Sequence, residues 1–227
     1  MNLYFLVEGA QTEKQVYRAW VEHLLPQLHP VQTPEEILAD HFCIISGGGM
    51  PQTFQEIQAA FKHVRDNPAI DHLFICVDAE NEPLEAVLAE IEEEARKQEV
   101  ATAARNGNPT FSFHVIVQHC CIETWFLGNR RIVRRNPESE RLRRLKTSYD
   151  VSVDDPELMA CGDGHSRRAA FHLEYLREVF REQGLTYSKK KPGDVLQRHY
   201  LDALRERCDE TLHLRSLERL FSIWRAF

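Results

Sequence analysis

Apolar and polar positions alternate between two periods over the first 129 residues. LYFLV (3–7) is an apolar run that ends at Glu8-Gly9. From Thr12 to Leu25 the apolar residues Val16, Tyr17, Trp20, Val21, Leu24 and Leu25 recur at helical spacing, with Thr12 as N-cap and Pro26 as stop. FCII (42–45) predicts a second strand running into Ser46-Gly47-Gly48-Gly49, and a helix follows with Phe54, Ile57, Ala60, Phe61 and Val64 on one stripe. LFICV (73–77) predicts a third strand ending at Asp78-Ala79-Glu80. A helix over 83–99 carries Leu84, Val87, Leu88 and Ile91 inward under an acidic outer face. FSFHVIV (111–117) predicts a fourth strand, followed by Ile122 to Leu127.

Strands and helices in strict alternation, with near-continuous apolar strands, imply an α/β fold: a mainly parallel, Rossmann-like four-stranded sheet flanked by helices. Ligands in such sheets bind beyond the carboxyl ends of the strands. After Asn129 the pattern changes. Residues 130–146 are basic and partly helical, 147–166 read as loops, and helices are expected over 167–183, 195–208 and 216–224. The expected organisation is an α/β core over 1–129 and a basic, mainly helical extension over 130–227, packed on that core.

Charge sharpens this division. The 227 residues carry a formal charge of −7, yet residues 1–129 hold 7 basic and 19 acidic side chains, and residues 130–227 hold 21 basic and 16 acidic. RRIVRRNPESERLRRLK alone has 8 positive and 2 negative charges. An acidic half joined to a basic half suggests a polyanionic partner, with a solvated helix face as the alternative. No apolar run is long enough to span a membrane. The N-terminal run leads into a glutamate without a preceding basic region, so it reads as a strand rather than a signal peptide, and a cytoplasmic protein is expected.

The six cysteines, at 43, 76, 120, 121, 161 and 208, lack any C-x-x-C spacing, so neither a disulfide framework nor a zinc ribbon is indicated. Cys43 and Cys76 lie in apolar runs and are expected in the core. His119-Cys120-Cys121 has ligand character, but adjacent residues rarely turn three side chains onto one ion and no fourth ligand is evident, so zinc is not expected there.

Carboxylates at the strand ends are the main candidate chemistry. Glu8 ends the first strand, and Asp78 and Glu80 end the third. In an extended segment i and i+2 face the same side, so Asp78 and Glu80 would project together. With the first and third strands as neighbours, three carboxylates would converge, and such a cluster favours Mg²⁺ or Mn²⁺. Capping of the following helices is the alternative. Glu123, in CIETW, is either a further ligand or a helix-start glutamate. Ser46, Gly47 and Gly48 would cradle a phosphate or form a plain turn; the loop lacks the Lys-Ser/Thr of a P-loop. Arg130, Arg131, Lys189, Lys190 and Lys191 are candidates for phosphate contact, and Arg205, Arg207 and Arg215 either add to that surface or pair with acids.

The combination of a strand ending in Glu-Gly with Thr-Glu and a helix, then a strand ending in an acidic-x-acidic pair, resembles the TOPRIM domain of topoisomerases, primases and OLD-type nucleases. LVEGAQTEKQVY, ISGGG, ICVDAE and IETWFLGN look most like small stand-alone bacterial TOPRIM families, RloB-like proteins among them, often found beside an ATPase in anti-phage defence loci. The tail YSKKKPGDVLQRHYLDALRERCDETLHLRSLERLF is also similar to theirs. The resemblance implies a metal-dependent nuclease and a role as effector of an anti-phage defence system. Its catalytic and metal-facing residues would be Glu8, Asp78 and Glu80, with Mg²⁺ or Mn²⁺ as cofactor, and DNA or RNA and an ATPase subunit as partners. Two departures stand out: the usual second acid of the pair is aspartate, whereas this chain has Glu80, and Glu13 follows Glu8 by five residues, whereas OLD-type sequences have four. Glu13 is then either a supporting residue of the site or a first-turn glutamate complementing the helix dipole. The rival expectation is a non-catalytic TOPRIM-fold module that binds an ATPase or nucleic acid.

Overall fold

A computed structural model describes residues 1–48, 52–106, 111–162 and 164–227. It contains a parallel five-stranded sheet: β1 (Leu3–Val7), β2 (His29–Val31), β3 (His41–Ser46), β4 (His72–Asp78) and β5 (Ser112–Gln118), in the order β2-β3-β1-β4-β5. The four expected strands are present. The fifth, His-Pro-Val at the sheet edge, carries no apolar run, and its proline is tolerated because an edge strand has one unpaired side.

β1 is central, and its five residues are all buried. Leu3 to Val7 register with Phe42 to Ser46 of β3 and with His72 to Cys76 of β4. Successive residues of a strand face opposite sides. Phe5 accordingly stacks on Phe74 (4.6 Å between centroids) and meets Tyr17 of α1 (Thr12–Leu24), while the Tyr4 hydroxyl lies 3.0 Å from His63 Nδ1 on α2 (Gln52–Asp66). Both faces of the sheet are thus covered, which explains the unbroken apolar strands. His72 and His114, from β4 and β5, stack and meet at 3.2 Å between ring nitrogens.

The chain leaves β1 toward β2 and β3 on one side, and after α2 crosses to β4 on the other. This reversal makes the carboxyl ends of β1 and β4 the topological switch point, where open α/β sheets form their ligand crevices. α3 (Leu84–Asn106) then leads to β5.

The chain divides into two compact units, one of residues 1–77 and 85–117, the other of residues 78–84 and 118–227. The boundary falls at the end of β5, earlier than the charge change at Asn129. The second unit comprises α4 (Ile122–Phe126), α5 (Glu140–Ser148), α6 (Arg168–Glu182), α7 (Arg198–Glu210) and α8 (Arg215–Trp224), with short 3₁₀ turns between them. Its core gathers Trp125, Phe126, Tyr175, Phe180, Tyr200, Leu204, Leu217 and Phe221, all buried. The five residues of α4 are buried without exception, and the Tyr200 hydroxyl donates to the Phe126 carbonyl at 2.7 Å, which is why residues 118–129 belong with the helices. No helix among the described residues is long and apolar enough to cross a membrane.

Candidate functional site

In the first unit, β1 ends in a bend that is tied to both of its neighbours. The Glu8 N–H donates to the Cys76 carbonyl at 3.1 Å. Gly47 N–H donates to the Val7 carbonyl at 2.8 Å, Gly48 N–H to the Glu8 carbonyl at 3.2 Å, and Ser46 Oγ to that same carbonyl at 3.3 Å. These groups hold the end of β1, and the loop extends the sheet's hydrogen bonding. Gly49 lies outside the described residues.

Glu13 stands in the first turn of α1, yet it is buried at 7 % exposure. Its carboxylate folds back over Gly9, where an added Cβ would fall 1.9 Å from Glu13 Oε2. A dipole-complementing glutamate needs no such burial. Glycine after Glu8 is what admits the carboxylate.

In the second unit, the segment following β4 is held by the segment following β5: Ala79 N–H donates to the Gln118 carbonyl at 2.9 Å and Glu80 N–H to the Cys120 carbonyl at 2.8 Å. Glu80 has φ = +47° and is exposed. The extended geometry that would align it with Asp78 thus ends before Glu80, and the i, i+2 argument does not hold here.

Glu123, on α4, is 1 % exposed. Its Oε1 accepts the Tyr187 hydroxyl at 2.8 Å and faces Lys189 Nζ at 3.9 Å. Lys189 and Lys190 occupy the tip of a tight turn closed by reciprocal Ser188–Lys191 backbone hydrogen bonds of 3.2 and 3.0 Å. All three lysines are exposed. One buried carboxylate is thereby joined to one triply basic turn.

The other basic residues are arranged differently. Arg130 pairs with Glu210 and Arg131 with Glu206, both on α7; Arg134 pairs with Glu138, Arg141 with Glu174 and Arg144 with Glu140. The basic run over 130–146 is mostly matched by acids within its own unit, and Arg130 and Arg131 take part in surface ion pairs. Arg207 is buried at 1 % exposure and donates to the carbonyls of Gly128, Val151 and Asp154. It cannot belong to a binding surface.

Sequence reasoning missed a cluster of Cys120, Cys121 and His172, all buried, whose ligand atoms lie within 4.8 Å of one another. The third member is His172, on α6, and not His119. The adjacent cysteines have ligand character in the sequence, but the approach of His172 is tertiary. The Cys120 thiol is pulled below its ordinary value by the hydrogen bond from Cys121, against desolvation, with help from His172 and Arg168. That of Cys121 is pushed up by donating this bond, by burial and by the charges of Glu123 and Asp78. The carboxylates of Asp78, at the end of β4, and Glu123, on α4, both act to keep the Cys121 thiol protonated.

Comparison of the chain with protein-family models, with curated proteins and with solved structures returns no match.

Proposed function

We propose that the protein is a divalent-cation-dependent phosphodiester hydrolase of the TOPRIM type, acting on nucleic acid. The observation that carries this reading is the buried Glu123 carboxylate bonded to Tyr187 and faced by Lys189, which joins an oxygen ligand to an exposed turn of three lysines. The strand order supports it, because Glu8 and Asp78 follow or end the two strands at the switch point.

The donor set suits Mg²⁺ or Mn²⁺, since Asp78 and Glu123 offer only oxygen ligands, which hard cations prefer. A bound cation would polarise the phosphate and acidify an attacking water. Asp78 and Glu123 would hold it, and Tyr187 keeps the Glu123 carboxylate oriented. Glu8, half-buried beyond β1, is the proposed acid/base residue of the first unit. Lys189, Lys190 and Lys191 would grip the sugar–phosphate backbone without reading bases. Glu80 supplies a ligand only if its exposed side chain turns inward, and Glu13 buttresses the Glu8-Gly9 bend.

A second reading is favoured by Glu80, whose left-handed backbone and exposure break the acidic pair. It is a non-catalytic module binding nucleic acid or an ATPase subunit. In either case a role in anti-phage defence, in the cytoplasm, belongs to the proposal.

The test is cleavage of labelled DNA and RNA with Mg²⁺ or Mn²⁺, compared with chelator. Cleavage that needs the cation, and that falls on the order of a hundredfold or more in Asp78→Asn, supports the hydrolase. Binding without cleavage supports the module. Cation-dependent cleavage untouched by Asp78→Asn shows that the site lies elsewhere.

A further inference from the structure

We propose that Cys120, Cys121 and His172 form a binding site for a thiophilic divalent cation of the Zn²⁺ class, separate from the carboxylates of the strand ends. The argument starts from the backbone. Side chains of neighbouring residues in an extended chain point to opposite sides, so two adjacent cysteines do not ordinarily share an ion. Cys120 has φ = +74°, a left-handed conformation that non-glycine residues rarely adopt. The turn it makes brings both sulfurs to the same side, toward α6. Strain of this kind persists where the surroundings over-determine it, and here the Cys120 carbonyl is fixed by the Glu80 N–H at 2.8 Å.

His172 is prepared for the same task. Its Nε2 lies 3.1 Å from the Met159 carbonyl, which can only accept, so Nε2 carries the proton and Nδ1 presents its lone pair. A metal-ligating histidine is held in this way, with its distal N–H on a carbonyl or carboxylate that sets the tautomer and the ring plane. Nδ1 now accepts the Thr124 hydroxyl at 2.7 Å, and that hydroxyl also lies 3.6 Å from Cys121 Sγ. Thr124 thus bonds one of the three ligand atoms and lies beside a second. Rotation of Thr124 about its Cα–Cβ bond would carry the oxygen away and free Nδ1 for an ion.

The three ligand atoms, within 4.8 Å of one another, need only a small contraction to surround one tetrahedral ion. The fourth position falls to a small neutral ligand such as water. Charge matches as well: two thiolates neutralise a divalent cation, so the filled site adds no net charge to a place where Cys120, Cys121 and His172 are at most 2 % exposed. Two sulfurs and an imidazole select Zn²⁺ over Mg²⁺, which prefers oxygen ligands. The bound ion would pin the segment after β5 to His172 of α6, 51 and 52 positions beyond the two cysteines, and its uptake releases protons from the thiols.

The experiment uses the whole chain, reduced with a phosphine and stripped of metal. Titration with Co²⁺ should give a thiolate-to-metal charge-transfer band and tetrahedral d–d bands saturating at one equivalent, displaced by Zn²⁺. Zn²⁺ should raise the melting temperature, while excess Mg²⁺ should neither displace Co²⁺ nor reproduce that rise. Cys120→Ser and His172→Gln should each weaken binding by more than roughly a hundredfold, beyond the effect usual for an outer-shell partner. Since a buried variant can fail to fold, the spectrum of the unsubstituted chain is decisive by itself. No charge-transfer band at millimolar Co²⁺, or a band unchanged in a folded Cys120→Ser variant, overturns the proposal.

Discussion

The Tyr187 hydroxyl donates to the Glu123 carboxylate at 2.8 Å, linking residues 64 positions apart and anchoring the lysine turn to the segment that follows β5. Both partners are buried, at 6 % and 1 % exposure, so the bond is shielded from competing water. Tyr187→Phe keeps the ring, which packs against Phe126 and Phe180, and removes only the donor. A buried carboxylate that loses a donor pays for its desolvation, so the variant should lose about 1–3 kcal/mol in urea unfolding. Nucleic-acid affinity should fall too, because the turn loses its tether. A variant as stable as the unsubstituted protein, with unchanged affinity, would show the bond to be incidental.

Gly9→Ala tests the close approach beside Glu8. The new Cβ cannot coexist with Glu13 Oε2 at 1.9 Å, and the flexible end of Glu13 is what must move. The expected result is a modest loss of stability together with displacement of the Glu13 carboxylate. If Glu13 supports the Glu8 bend during cleavage, Gly9→Ala and Glu13→Gln should lower the rate by similar factors, and combining them should add little. Additive losses in the double variant would separate the two residues.

Arg207→Lys should be costly although it conserves charge. The guanidinium NH1 and NH2 reach the carbonyls of Gly128, Val151 and Asp154 at 3.1, 2.7 and 2.7 Å, and NH2 also lies 3.0 Å from His213 Nδ1. One ammonium cannot span that fork. Leaving buried carbonyls unpaired should destabilise the protein by about 2–3 kcal/mol, read from a denaturant midpoint with unchanged slope. Nucleic-acid binding by the folded variant should be unaltered, since Arg207 has no exposed surface to offer.

Acidification should weaken the fold through His72. Desolvation lowers its proton affinity below the ordinary value of 6.5, against a smaller opposing effect from Asp71, so the folded chain takes up this proton less readily than the unfolded chain. Its Nδ1 lies 3.2 Å from His114 Nε2, a contact made by one shared proton and spoiled by a second. Between 6.5 and the lowered folded value, the unfolded chain binds a proton that the folded chain refuses. Stability from this group is complete above 6.5 and declines as pH falls below it. Melting temperature measured from pH 8 to pH 5.5 should drop, and His72→Gln should flatten the drop. A melting temperature that rises on acidification would contradict the assignment.

Local physics made much of the architecture legible in the sequence. Strands buried on both faces must be apolar throughout, so LYFLV, FCII, LFICV and FSFHVIV stood out, and helices with one buried face repeat apolar residues at their own period, as Val16 to Val21 and Leu217 to Trp224 do. The carboxylates at strand ends were visible for the same reason, because a polar residue closing an apolar run marks where the chain leaves the core. β2 escaped notice because three residues, one a proline, carry too little periodicity to read. What only the tertiary structure decided depends on which distant groups meet. The N–H groups of Gly47 and Gly48 meet the carbonyls of Val7 and Glu8 only once β3 lies beside β1. Arg130 and Arg131 meet Glu210 and Glu206 only where α7 brings them. Asp78 and Glu80 shared a face only for as long as the chain stayed extended, and the left-handed turn at Glu80 ends that. Cys120, Cys121 and His172 came together through one positive φ and the packing of α6, since neither backbone strain nor the approach of residues 51 and 52 positions apart is encoded in any local pattern.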